Sequence, residues 1–131
     1  MTSFLEPLLR KSSDGCALVN NRTGVVLADR LIPAFDSATR RTGLLQHGEL
    51  PEGSAMIIAP SNAIHTFFMK FPIDLVYLDK KRKVRKVRHA VPAWRLSACL
   101  TAHSILELPA GTAEKSGTLP GDELVMEKLN A

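Results

Sequence analysis

Two cysteines, one tryptophan, one tyrosine and five phenylalanines are all that 131 residues hold of these types. Cys16 and Cys99 make no C-x-x-C pair and sit in no ligand cluster, which excludes a disulfide framework or a cysteine-built metal scaffold. Two separate thiols, or a single disulfide in an exported protein, both stay open. Cys99 and His103 have a spacing that fits one helical turn, but no second pair completes a zinc site. No apolar run reaches the length of a membrane helix; the longest, around Ala55–Pro60 and Phe67–Phe71, are strand-sized. There is no G-x-S-x-G elbow, no phosphate-binding P-loop, no dinucleotide fingerprint and no internal repeat. The N-terminus as it stands, "MTSFLEPLLRK", has no early basic region and too short an apolar stretch for a secretory signal. It reads as cytoplasmic, or as periplasmic or exported if a leader was trimmed.

What is present is an ordinary globular composition, 45% hydrophobic and 23% charged. The length suits one domain with a real core, preceded by an N-terminal arm over residues 1–12. The net charge of +4 is unevenly spread. Seven Lys and Arg fall between Lys80 and His89 with no acid among them, and the remainder of the chain is slightly acidic.

Short apolar segments alternate with turn signals. "CALVN" and "VVLADR" read as paired strands around a turn rich in Asn and Gly. "IPAFDSATRRTGLLQHG" reads as the principal helix, opened by Pro33 and closed by Gly48, with Ala38, Arg41 and Leu45 at helical spacing. Strands are then expected over "AMIIAP", "IHTFFM", "IDLVYLD", "KVRKVRHAV", "SILELP" and "ELVMEKL", with Pro92–His103 irregular. Few crossover helices imply antiparallel pairing. The fold class is mainly β (α+β): a compact, partly closed antiparallel barrel of about seven or eight short strands with one principal helix.

Inside "HTFFMKFPIDLVYLD" the polar residues His65, Lys70 and Asp74 stand among apolar neighbours. Alternation puts His65 on a face with Phe67 and Met69, and Asp74 on a face with Val76 and Leu78. Both then sit at the end of an apolar row, where the rim of a barrel would be. An imidazole there could exchange protons, a lysine could contact an anion, and a carboxylate could accept hydrogen bonds. The plainer uses are a satisfied rim histidine, a solvated lysine and an aspartate bonded to backbone N–H groups near Pro72.

Several motifs occur together in order: "RRTGLLQHGEL", "AMII", "HTFFMKFPIDLVYLD", "SILELPAG" and "LPGDEL". In this they resemble the DUF192 (UPF0127) family, small bacterial and archaeal proteins of uncharacterised biochemical function, over about residues 15–128. Many members carry an export signal or a lipoprotein-like leader. Where many have Trp and then Lys-Asn-Thr, this chain has Phe68 and "KFPID"; Met69, Lys70 and Asp74 keep the pattern. The resemblance marks Arg41, Gly43, Met69, Lys70, Asp74, Glu107, Gly111, Gly121 and Asp122 without giving any of them a role.

Gly111 and Gly121 are expected in backbone geometry unsuited to larger residues, and Asp122 is expected to fix a turn. Glu107 has two candidate uses: pairing with Arg41 across a helix–sheet interface, or joining Asp74 as a second carboxylate whose neighbour raises one pKa. Three functional expectations follow. The first is a β-rich module binding a small or peptide-like ligand at the barrel mouth through His65, Lys70, Asp74, Arg41 and Glu107. The second is an enzyme using Asp74 or Glu107 with His65. The third is a polyanion-binding accessory protein, contacting nucleic acid or an anionic surface through Lys80, Lys81, Arg82, Lys83, Arg85, Lys86 and Arg88. Against the third stands the protective use of charge on an edge strand. No cofactor or metal is expected, and no transmembrane segment.

Overall fold

A computed structural model describes residues 16–34, 50–67 and 69–128. Ten strands and one short helix are found there: β1 (Cys16–Asn20), β2 (Val26–Ala28), β3 (Arg30–Ala34), β4 (Ser54–Ile58), β5 (Ala63–His65), β6 (Ile73–Leu78), β7 (Val84–Val91), β8 (Leu96–Ala98), β9 (Ser104–Pro109), α1 (Thr112–Lys115) and β10 (Leu124–Lys128). The chain is mainly β, as its segmentation implies.

The strands form three sheets: β10-β1-β2, β3-β4-β9-β6-β7 and the pair β5-β8. They do not close into a barrel. Among the described residues one isolated β-bridge, Lys83 with Glu123, links the first two sheets, which otherwise pack against each other through side chains. The expected strand "VVLADR" breaks at Asp29, whose backbone N–H, like that of Arg30, turns to the carbonyl of Gly53. Its two halves, β2 and β3, therefore belong to different sheets.

The all-antiparallel expectation is corrected as well, because β3 pairs β4 in parallel, Leu31 opposite Ala55 and Pro33 opposite Ile57. The residues between Ala34 and Ser54 give the chain room for the crossover that parallel pairing needs. Pro33 opens no helix. It lies in β3, an edge strand, where a missing N–H donor is tolerated. Residues 35–49 of the expected helix, Arg41 and Gly43 included, lie outside the described residues, as does the arm over 1–12.

The five-stranded sheet carries a core on each face. β6, "IDLVYL", is buried throughout, so both its faces are apolar apart from one aspartate. Val76 and Leu78 pack with Leu18, Leu27, Leu106, Leu108, Ala113 and Leu124 on one side. Ile73, Leu75 and Tyr77 pack with Ile64, Val91 and Ile105 on the other. Cys16 borders the first cluster and Cys99 the second. The sheet stands between the two thiols, and both are unbridged.

Candidate functional site

The expected strand through Met69 stops at His65. Thr66 is the reason. Its hydroxyl donates to the Pro92 carbonyl at 2.6 Å and accepts from the Arg95 N–H at 2.9 Å. Its carbonyl accepts from Met69 and Trp94. The chain is thereby tied to the β7–β8 loop and turns.

Asp74 is fully buried, and its carboxylate is a staple. Oδ1 accepts from the Ala90 N–H at 2.8 Å; Oδ2 accepts from Gly111 at 3.1 Å and Ala113 at 2.9 Å. One side chain thus joins β6 to an irregular point of β7 and to the start of α1. Gly111 reaches this position with φ +98°, in the left-handed region that glycine adopts without steric cost, and Gly121 has φ +95°.

His65 is half-buried and lies on the far side of the sheet from Asp74. Its neighbour Ile64 points inward onto Tyr77 and Ile73, so His65 points outward. The expected common rim for His65 and Asp74 is therefore absent, because the whole five-stranded sheet intervenes. Lys70 is exposed in the bend before β6.

Glu107 is buried opposite Leu75, on the Tyr77 face, whereas Asp74 pairs with Leu108 and faces α1. The two carboxylates lie on opposite faces of one sheet, so the expected acid pair does not form. Nearby, the Tyr77 hydroxyl donates to Ser97 Oγ at 2.6 Å, and burial pushes its pKa up.

The basic hairpin divides into two parts. Its turn is built by Asp79, whose Oδ1 accepts from the N–H groups of Lys81 and Lys83. Lys80, Lys81 and Lys83 are exposed there, with Arg82 half-buried. The other three cations turn onto the stretch around β8. Arg85 Nε donates to Thr101 Oγ1, Lys86 Nζ to the Ala98 carbonyl at 2.8 Å and Arg88 Nη1 to Ser97 Oγ. Among the described residues, no group of three His, Cys, Asp or Glu could hold a metal ion, and no helix is long and apolar enough to cross a membrane.

Among the described residues an unusual surface lies in the segment Pro92–His103, expected to be irregular. In "WRLSACL", Trp94–Leu100, every second residue is apolar: Trp94, Leu96, Ala98 and Leu100. A half-buried strand ordinarily turns such a row inward. Here Ser97 is the buried one, held by Tyr77 and paired with Ile64, and Cys99 packs against the core. The apolar row faces out: Trp94 is 58% exposed, Leu96 73% and Leu100 86%. Beside it the rings of His65, Phe67 and Trp94 follow one another at 4.8 and 5.4 Å between centroids. The period-2 pattern was visible in the sequence; what hid the strand was its reversed phase.

Trp94 also has φ +65°, a conformation costly for a side chain with a Cβ. In urea unfolding, Trp94→Gly is expected to be more stable than Trp94→Ala by about 1 kcal/mol, the reverse of the usual order. Equal stabilities would mean that the backbone there relaxes freely.

A groove of about 190 Å³ lies between β2, the Glu52–Gly53 turn and α1, rimmed by the exposed ion pair Lys115–Glu52 at 3.2 Å. It contains none of the residues expected to form a site.

Comparison with known proteins adds the family and the fold. The model of the DUF192 family, described as Uncharacterized ACR, matches residues 20–126. A crystal structure of a candidate transcription regulator from Sinorhizobium meliloti is similar at 20% identity and a TM-score of 0.70, covering 83% of this chain and 89% of that one. A protein of unknown function from Novosphingobium aromaticivorans is similar at 22% identity and a TM-score of 0.67, covering 83% and 81%. No curated protein matches the chain.

Proposed function

The chain belongs to the DUF192 family, and we propose that it is a small β-rich binding module that meets its partner through the outer face of β8 and the adjoining end of β5. The observation that carries this reading is the outward apolar row Trp94, Leu96 and Leu100. Large apolar side chains gathered on one surface mark interaction sites, whereas single ones need no explanation. His65 and Phe67 extend the row on its β5 side. Of the polar residues of "HTFFMKFPIDLVYLD", His65 borders this surface. Asp74 serves the fold.

The test uses the apolar dye anilinonaphthalene sulfonate and the emission of the single tryptophan. The dye is expected to bind the native protein and shift Trp94 emission to the blue. The double variant Leu96→Ser, Leu100→Ser should lose that binding while its melting temperature stays within about 2 °C, since exposed positions contribute little to stability. Unchanged dye binding would show that the leucines form no apolar contact surface, and a melting temperature lowered by about 5 °C or more that they serve the core; either result would overturn the reading.

A further inference from the structure

We propose that the partner met by this face is an anionic lipid bilayer surface, with Trp94, Leu96 and Leu100 entering the headgroup–acyl boundary and the flanking cations contacting lipid phosphates; this rests on the binding-module reading above. The first ground is charge. Between Pro60 and His103 there are nine Lys and Arg against two acids. Only one of the two is placed to offset a cation at the surface. Asp74 is fully buried and bonded to three backbone N–H groups, while Asp79 is bonded through Oδ1 to its own turn and through Oδ2 faces Arg85 Nη1 at 3.8 Å.

The second ground is placement. Arg85, Lys86 and Arg88 bond to Thr101, Ala98 and Ser97, which sets them along the side of the apolar row. Each uses part of its donor capacity there and keeps N–H groups for an anion. Arg95 lies within the row's own stretch and is exposed.

The third ground is the kind of apolar residue. Two leucines at 73% and 86% exposure beside one tryptophan suit an acyl boundary, where apolar side chains insert and an indole sits at headgroup depth. Base stacking on single-stranded nucleic acid needs rings and makes no use of Leu96 and Leu100. Basic residues beside an anionic leaflet each strengthen attachment, and salt screens them.

The test is flotation of the full chain with vesicles, with Trp94 emission recorded in parallel. Vesicles of phosphatidylcholine with about one-third phosphatidylglycerol are expected to carry the protein with them and shift the emission to the blue. Pure phosphatidylcholine should bind at least tenfold more weakly. Leu96→Ser with Leu100→Ser should reduce partition at least tenfold, and Arg85→Gln with Arg95→Gln several-fold, with a weaker salt dependence than the parent. Failure to float with the anionic vesicles overturns the proposal, as does equal binding to neutral ones. Binding that ignores the leucine substitutions shows an attachment by charge alone and also overturns it. A protein that binds a labelled twelve-nucleotide oligothymidylate and leaves the vesicles behind has nucleic acid as its partner, again against the proposal. If dye binding still depends on Leu96 and Leu100 while no vesicle floats, the face is a contact surface and the lipid assignment alone falls.

Discussion

Replacing Asp74 with alanine is expected to lower stability by about 4 kcal/mol or more, among the largest effects a single substitution produces. The carboxylate satisfies three backbone donors that belong to separate parts of the chain: Ala90 in β7, Gly111 before α1 and Ala113 within it. A buried donor left without a partner costs about 1–3 kcal/mol, and alanine would strand all three at once. Asn is expected to cost less, about 2 kcal/mol, because its one oxygen can still accept from Gly111 and Ala113 while its amide group faces the Ala90 N–H. The order wild type, Asn, Ala in urea unfolding is the check. An Ala variant within about 1 kcal/mol of wild type would remove the staple from the account. A typical domain holds about 5–15 kcal/mol in total, so the alanine variant is expected to be poorly folded at 37 °C.

Asp122 supports a second large effect, one that depends on pH. It is nearly buried and accepts from Arg22 Nε at 2.6 Å, Arg22 Nη2 at 3.0 Å, Asn20 Nδ2 at 3.0 Å and the Leu119 N–H at 2.8 Å. These bonds, with Arg22's first among them, hold its carboxyl well below the usual carboxylate range, while burial opposes them. Asn20 completes the knot, its Oδ1 accepting from the N–H groups of Arg22 and Thr23. The loop after α1 is thereby fastened to the β1 turn. Asp122→Ala is expected to cost about 2–3 kcal/mol at pH 7, since it removes the acceptor of the Leu119 N–H and one of the two acceptors of the buried Asn20 amide, whose other is Thr118 Oγ1.

A carboxylate with a depressed folded pKa contributes stability that is complete above its unfolded pKa, near 4, and disappears as pH falls through the folded value. The margin of wild type over Asp122→Asn should therefore be constant from pH 7 to about pH 5 and shrink steadily below pH 4. Urea unfolding of both proteins at each pH measures it. A margin that stays level down to pH 2.5 would mean that the carboxylate's charge contributes nothing.

The parts of this architecture legible in the sequence are those fixed by local alternation. β6 has the phase that its residues imply, with Asp74, Val76 and Leu78 on one side and Ile73, Leu75 and Tyr77 on the other. The boundaries of β1 and β9 follow from apolar runs ended by turn residues. Gly111 and Gly121 adopt the positive φ expected of them. Pairing over distance was not legible. Nothing near Pro33 announces that its segment lies parallel to β4 at a sheet edge, where a helix-opening proline and an edge-strand proline look alike.

The candidate site is less legible for a related reason. Polar residues in an apolar stretch attract attention, and the three N–H groups that occupy Asp74 come from residues 16, 37 and 39 positions away. The surface that stands out in the structure consists of apolar residues, which sequence reading assigns to the interior by default. Only the fold shows Ser97 turned in and Leu96 turned out.

Amide hydrogen exchange on the wild-type protein tests most directly whether Asp74 belongs to the fold. The backbone N–H groups of Ala90, Gly111 and Ala113 are expected to exchange in the slowest class, together with those of β6 and β9, because opening any of them requires pulling the carboxylate out of the core. Exchange of all three as fast as the exposed turn amide of Lys81 would contradict the account and return Asp74 to the list of residues poised for chemistry.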